Sequence, residues 1–430
     1  MTYRQLLSGN TDFRRLWTGQ IVSEIGDWLN SIAVLALTIE LAGRGREGLA
    51  VAVYAIARHL PLFLFGPLAG VFADRLDRRR VMILSDILRA VLALGFLFAS
   101  RGASLNAVYF IGATLFAVSA FFNAAKRAAI PNLVSGADAL LAANSLAAST
   151  TAATLAIGSA LGGIVATFFG RETVFLLNAL TFLISAEMIR RIRSQTQRHL
   201  DAEILERGNS ALRWAAVDFK EGLRYVRSNH LLTAIFIVAA GWGLGNGTAR
   251  ALYSLFGARL GQSAAEGLVQ RPTDFGISVL FVAMGLGGVI GAPLARRFNA
   301  GSGAELETRM GRSIILDGCG LALFSLMPTL WGAALMLVAR EINFAIWWTA
   351  QQTIIMSRTD DRYGGRVFAS YETLTTLMMV GSMLASGVAA DTYGLKPVAC
   401  AGGLVIIISG LLWFVLRRRN SRTRRQAAIG

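Results

Sequence analysis

Residues 70–80 read GVFADRLDRRR and separate two long apolar runs, 49–73 and 80–100. Roughly 20 apolar residues suffice for a helix to cross a bilayer, and each flanking run is long enough. Six of the eleven residues between them are charged, and such a block stays in water. The stretch therefore predicts two membrane-spanning helices joined by a short basic turn. Working outward, the same alternation predicts twelve spans: 16–42, 49–73, 80–100, 104–124, 140–168, 172–190, 231–257, 275–296, 312–328, 330–355, 368–391 and 394–416. Each is expected to be helical, because hydrocarbon offers no partner for backbone N–H and C=O groups. The first run carries Glu24 and Asp27 and is too long for a signal-peptide core, so it is expected to remain as the first span.

Composition agrees. Only 16% of the 430 residues are charged, against about 25% in an ordinary soluble domain. The 54% hydrophobic content excludes a disordered chain. The net charge of +16 would suggest nucleic acid in a soluble protein, but topology accounts for it. If the N-terminus is cytoplasmic, 31 of the 42 Lys and Arg residues fall on cytoplasmic segments, 7 on the other side and 4 inside spans. Cytoplasmic loops collect basic residues. The bias predicts a multi-pass protein of a bacterial-type cytoplasmic (inner) membrane, with both termini cytoplasmic. The bilayer, with its anionic lipid, is the expected partner, and nucleic acid is not. Cys319 and Cys400 stand far apart in apolar runs and the three histidines show no metal-ligand spacing. With no P-loop and no Ser/His/Asp order, neither an enzyme nor a bound cofactor is expected.

The segment 191–230 divides the spans six and six. It predicts a half at 1–190, a cytoplasmic linker at 191–230, a second half at 231–416 and a basic tail at 417–430. Within the linker, Leu212, Ala216, Phe219, Leu223 and Val226 recur at helical spacing, with Arg213, Lys220 and Arg224 on the polar side. This predicts an amphipathic helix on the membrane surface. GSALGGIVATFFG at 158–170 pairs with GSMLASGVAADTYG at 381–394, and Gly70 and Arg75 pair with Gly291 and Arg296. An even number of spans separates the copies, so the repeat is parallel about an axis along the membrane normal.

The motif at 70–80 resembles the major facilitator superfamily signature G-x-x-x-D-R-x-G-R-R. Gly70, Asp74, Arg75, Arg78 and Arg79 match, and Asp77 stands where the family has glycine. Further stretches resemble the drug:proton antiporter subgroup that includes macrolide and enterobactin exporters. They are FRRLWTGQIVSEIGDWL at 13–29, SDILRA at 85–90, FFNAAKRAAIPNLV at 121–134 and GGRVFAS at 364–370. GSALGG at 158–163 resembles the antiporter signature G-P-x-x-G-G, with Gly158, Gly162 and Gly163 matching and Ser159 in place of proline. The resemblance implies an all-α major facilitator fold of twelve transmembrane helices in two pseudo-symmetric six-helix halves. It also implies that the loop Gly70, Asp74, Arg75, Arg78, Arg79 is a conformational switch, with the Asp74 carboxylate holding the halves together on the cytoplasmic side. The second-half copy has Ala295 in place of Asp74. For Gly158, Gly162 and Gly163, close helix packing is the alternative role.

Ionisable groups at membrane depth are costly and mark pathways or paired sites. At about 1.5 Å per residue, Glu24 and Asp27 lie roughly 12 and 16 Å into the first span, on one face. Arg58, Arg89, Arg340 and Glu341 reach similar depth. Glu24, Asp27 and Glu341 are the candidate proton carriers; Arg58, Arg89 and Arg340 are candidate ion-pair or substrate residues. A static pair of an acid with Arg58 is the alternative. Asp86 is expected to pair with Arg89 one turn away. Glu187, Asp317 and Glu372 are expected near the cytoplasmic ends of their spans, and Arg250 near the outer end of its own. Trp28, Phe116, Phe121, Trp242, Phe344 and Trp347 are candidate pocket residues.

Taken with these residues, the resemblance implies a secondary transporter driven by the proton motive force. It would export an amphipathic drug, macrolide or siderophore by alternating access, and a monomer contains both halves it needs. A lipid transporter of the same fold and a non-transporting receptor or assembly factor are the alternatives.

Overall fold

The computed structural model describes residues 2–193, 211–299, 303–360 and 363–427. Among these residues the secondary structure is helical. A short helix, α1 (Tyr3–Gly9), precedes six long ones: α2 (Thr11–Ala42), α3 (Glu47–Arg75), α4 (Arg78–Arg101), α5 (Leu105–Leu133), α6 (Ala137–Phe169) and α7 (Arg171–Arg190). The amphipathic α8 (Ala211–Ser228) follows. Six more complete the chain: α9 (His230–Ala265), α10 (Pro272–Phe298), α11 (Gly303–Leu326), α12 (Leu330–Arg358), α13 (Gly364–Tyr393) and α14 (Leu395–Ala427). Eleven of the twelve long helices are long and apolar enough to cross a membrane. The twelfth, α11, carries Arg309, Arg312 and Asp317, and it packs between α12 and α14.

Helix ends follow local chemistry. The side chains of Asn10, Asp77, Ser104, Asn229 and Thr329 accept hydrogen bonds from backbone N–H groups of the turns they begin. Those N–H groups have no partner within the helix. Four glycines with positive φ mark the repeat: Gly43 and Gly267 follow α2 and α9, and Gly170 and Gly394 follow α6 and α13. Each pair is separated by 224 positions, close to the spacing of the repeat in the sequence.

The packing repeats as well. In the first half α2 lies on α6 and α7, α4 on α5 and α7, and α3 on α5. In the second half α9 lies on α13 and α14, α11 on α12 and α14, and α10 on α12. The halves meet along two seams that the same symmetry relates, α6 with α10 and α3 with α13. This is the two-half major facilitator architecture.

The seams are not uniform in depth. Call the membrane face that carries both chain ends the terminal face. Near the opposite face, Gly48 and Ala52 of α3 press on Gly387 of α13, and Gly163 of α6 presses on Ser278 of α10. Small residues let helix backbones approach this closely. Toward the terminal face the halves part: at Gly66 and Gly70 of α3 and Gly364 and Gly365 of α13, a Cβ would meet no atom within 4 Å. The described part of α8 docks on α13 there. Gly222 lies against Arg366 and Ser370, Glu221 pairs with Arg366 at 2.6 Å, and Tyr225 stacks on Tyr363 at 4.5 Å. The side chains of Leu212, Arg213, Ala216 and Phe219 lie outside the described residues, as do residues 194–210.

Candidate functional site

The acids of α2 face inward as a stripe. Gln20 Nε2 donates to Glu24 Oε1 at 2.7 Å, and Thr154 of α6 donates to Glu24 Oε2 at 3.1 Å. Lys126 Nζ stands 3.8 Å from the same carboxylate. One turn along α2, Asp27 Oδ2 lies 3.9 Å from Arg89 Nη1. Arg89 also bonds Asp86 within α4, as its spacing predicts. The Arg89 guanidinium is sandwiched between the rings of Phe122 and Phe182, at 4.1 and 4.5 Å, contacts that favour a cation withdrawn from water. The side chains of Asp86 and Arg89 are 0% and 3% exposed, whereas Asp27 is 29% exposed.

Two expectations are corrected here. Asp27 is paired with Arg89 and not with Arg58. Arg58 instead donates to Ser31 Oγ at 2.9 Å and lies over the rings of Trp28 and Phe116, at 4.8 and 5.0 Å. Lys126 belongs to a helix and not to a loop, because α5 continues to Leu133 beyond the apolar run that ends at 124. Its alanines (Ala124, Ala125, Ala128, Ala129) are strong helix formers that a hydropathy reading undervalues.

The second half holds its own buried set. Arg340 Nη2 is 3.0 Å from Asp317 Oδ2 and 3.4 Å from Asn246 Oδ1, while Nη1 bonds the Tyr253 hydroxyl and lies 3.7 Å from Glu341. Trp242 Nε1 donates to Asp317 Oδ2 at 3.1 Å. Asp317 is fully buried, which overturns its placement as a helix-end charge. The helix begins at Gly303 and not near 312, so Asp317 sits about 21 Å along it. Glu341 keeps some exposure, 15% of its side chain. Glu187 pairs with Arg190 and Arg191 at the end of α7, and Glu372 is exposed.

Between these sets, Ala55 of α3, Ala251 of α9 and Met383 of α13 form a contact layer that joins the halves. Arg58 and His59 lie one turn from Ala55 on its terminal-face side, and Arg250 is adjacent to Ala251 on that same side. Arg250 is therefore deep in the molecule, with α9 continuing to Ala265 beyond it. This corrects its expected place near the helix end.

Closure at the opposite face is polar. Arg171 of α7 makes two hydrogen bonds to Asp274 of α10, at 3.0 and 2.8 Å, and one to Glu40 of α2, at 2.5 Å. Asp391 of α13 accepts from the backbone N–H groups of Gly48 and Leu49, at 2.7 and 2.8 Å, and so caps α3 from the other half. Sequence reasoning missed both clasps. Acids and arginines at span ends read there as ordinary interfacial charges.

In the loop 70–80, Asp77 caps α4 through the N–H groups of Arg79 and Arg80. Arg78 is buried and donates to the carbonyls of Ala73 and Ala128, at 3.0 and 2.8 Å. Arg79 reaches the carbonyl of Arg190. Arg78 and Arg79 thus satisfy carbonyls at helix C-termini, where the helix dipole favours a cation. Gly70 lies in open space, Arg75 is exposed, and the Asp74 side chain lies outside the described residues. On α6, Gly158 and Gly162 face α2, where a Cβ would meet Ile25, Trp28 and Leu29 at 2.7–2.8 Å. Gly163 instead lies on the seam with α10. Trp28 and Phe116 flank Arg58, and Phe121 sits with Phe65 and Phe72. Trp242, Phe344 and Trp347 form a mutual cluster with Trp348, in which Trp242 and Trp347 are buried.

The comparisons with known proteins fit this architecture. The family described as transmembrane secretion effector matches residues 7–428. The uncharacterized MFS-type transporter YfiS of Bacillus subtilis (strain 168) is 27% identical over 417 residues, 93% of this chain and 92% of its own. The putative bacilysin exporter BacE of the same organism is 28% identical over 407 residues, 91% of each chain. Macrolide efflux protein A of Streptococcus pyogenes is 22% identical and covers 92% of this chain and 93% of its own. Among solved structures, a bacterial homologue of the human lysosomal transporter Spinster, in an inward-facing and unoccupied conformation, matches with a TM-score of 0.70. It is 14% identical and covers 96% of this chain and 97% of that one, a likeness of fold alone. With a family match over nearly the whole length and two six-helix halves that pack alike, the chain belongs to the transmembrane secretion effector family of the major facilitator superfamily and is a membrane transporter, not an enzyme.

Proposed function

We propose that this transporter is a proton-coupled exporter of an amphipathic small molecule, working as a monomer with its terminal face in the cytoplasm of a bacterial cell. The observation that carries the reading is the position of Asp27. Arg89 is already engaged by Asp86, so Asp27 is the surplus carboxylate, and of these three side chains it alone keeps substantial exposure. Protonation of Asp27 leaves the buried Asp86–Arg89 pair neutral, so this acid can load and unload at little cost to the packing. Glu24 and Glu341 also keep some exposure and are the further candidate carriers.

Orientation follows from the basic residues, which crowd the terminal face. Export is favoured by the similarity to a putative bacilysin exporter and a macrolide efflux protein. Alternating access would then be a rocking of the halves about the α6–α10 and α3–α13 seams. Breaking the Arg171–Asp274 and Asp391 clasps would open the opposite face.

The test uses energised inside-out vesicles that contain the protein and a lumenal pH dye. Drugs, macrolides and siderophores are added in turn. A substrate is expected to release lumenal protons with the wild type and not with a correctly inserted Asp27→Asn variant. Proton release that survives in that variant would remove Asp27 from the mechanism.

A further inference from the structure

Among the described residues, two arginines near the centre of the molecule have no carboxylate partner within ion-pair distance. Arg58 is held by one serine hydroxyl and two aromatic rings. Arg250 is exposed although its neighbours Ala249 and Ala251 are fully buried on a helix that is itself mostly enclosed. It stands on the same side of the layer of Ala55, Ala251 and Met383 as Arg58 and His59. The buried cluster of Ala55, Ala251 and Met383 brings α3 and α9 together just beyond these side chains. One guanidinium therefore comes from each half, on the terminal-face side of the layer that joins them, and His59 is on that side too. A cation at this depth needs an anion. The nearest acids stand closer to other arginines: Asp27 is 3.9 Å from Arg89 and Glu341 3.7 Å from Arg340.

We infer that Arg58 and Arg250 form a clamp for a carboxylate of the substrate, and that the substrate is an amphipathic zwitterion. The inference rests on the proposed exchange against protons and deepens it. An oxyanion between the two guanidinium groups relieves their repulsion and is bound by charge-assisted hydrogen bonds. The rings of Trp28 and Phe116, already against Arg58, offer apolar surface to the rest of the molecule.

The sign of the coupling then sets the second charge. An anion alone at Arg58 would weaken the attraction of that cation for the Asp27 carboxylate and would draw a proton in with the substrate. Exchange requires the opposite, so the same molecule must bring a cation toward Asp27 or Glu341 to displace the proton. Because the arginines come from different halves, such a ligand also bridges the two bodies that rock. A substrate bound in this way favours the state in which Arg58 and Arg250 stand together.

The test is equilibrium binding to the purified full-length transporter in nanodiscs of uncharged lipid, with empty nanodiscs as the blank. Three matched probes are used: N-octyl-β-alanine, a zwitterion; N-octyl-β-alaninamide, a cation only; and N-octanoyl-β-alanine, an anion only. The wild type is expected to bind the zwitterion about tenfold or more tightly than the amide, the scale of one charged hydrogen-bonded contact. Arg58→Gln and Arg250→Gln should each abolish that preference, and Arg58→Lys should keep part of it. Arg101→Gln, at an exposed pair with Glu172 near the opposite face, should leave it intact. Thermal unfolding of each unliganded variant reports whether it is folded. The inference is overturned if the wild type shows no preference for the zwitterion, or if the preference survives in folded Arg58→Gln and Arg250→Gln. No gradient is needed, so the outcomes separate: carboxylate preference without proton movement in vesicles retires the exchange and keeps the clamp, and proton movement without the preference does the reverse.

Discussion

Arg171 holds Asp274 through two parallel hydrogen bonds, Nε to Oδ1 at 3.0 Å and Nη2 to Oδ2 at 2.8 Å, across the boundary between the halves. Asp274 is fully buried and Arg171 nearly so. The pair sits beside the α6–α10 seam, while Asp391 binds the start of α3 beside the α3–α13 seam. The two seams are related by the internal symmetry, so each is fastened at the same face by different chemistry.

Breaking the Arg171–Asp274 clasp should loosen that face. A charged hydrogen bond contributes about 1.5–3 kcal/mol, which corresponds to roughly a 10- to 100-fold shift between open and closed states. In a variant lacking Cys319 and Cys400, a cysteine placed by Ala52→Cys is expected to react with an impermeant maleimide about 10–100 times faster once Asp274→Asn is added. An unchanged rate would mean that the clasp does not contribute to closure.

The Asp317–Arg340 pair is expected to be structural in a different sense. Removing one partner leaves the other charge buried and alone, which costs about 3–5 kcal/mol. Asp317→Asn or Arg340→Met should therefore lower the melting temperature sharply in detergent. The double substitution should recover much of the loss, as in a coupled pair. Additive losses would argue that each residue acts through separate contacts.

At the basic turn, two aspartates three residues apart should behave differently. Asp77→Ala removes a helix cap and is expected to cost about 0.5–2 kcal/mol of stability, with Asp77→Asn close to wild type. Asp74→Asn is expected to leave insertion and melting temperature intact and to cut transport. Normal transport by the inserted Asp74→Asn variant would assign the turn to topology alone.

Glycines at the helix contacts give a steric test. Gly162→Leu should prevent α6 from lying on the backbone of α2 at Leu29 and abolish stable expression. Gly66→Ala, where no atom lies within 4 Å, should be tolerated. Fluorescence-detected size exclusion would report both, and a monodisperse Gly162→Leu protein would show that the helices can separate there.

The sequence by itself determined the long helices, their pairing into two halves and the face that Glu24 and Asp27 share on α2. Span length and helical phase are local properties: a run of apolar residues is legible where it stands, and Glu24 and Asp27 share a face wherever the helix goes. The repeat was legible too, and the glycines at 43, 170, 267 and 394 carry it into the backbone. Tertiary structure alone decided the partners. Asp27 meets Arg89 and not Arg58, because the rotation of each helix about its axis selects among cations of equal depth. Lys126 and Asp317 entered the interior because their helices run about two turns beyond what apolarity marks. Arg171 and Asp274, 103 positions apart, become a clasp only when the two halves close on each other. Depth in a membrane is written along one helix, but pairing depends on the azimuth and tilt of two helices, which packing fixes.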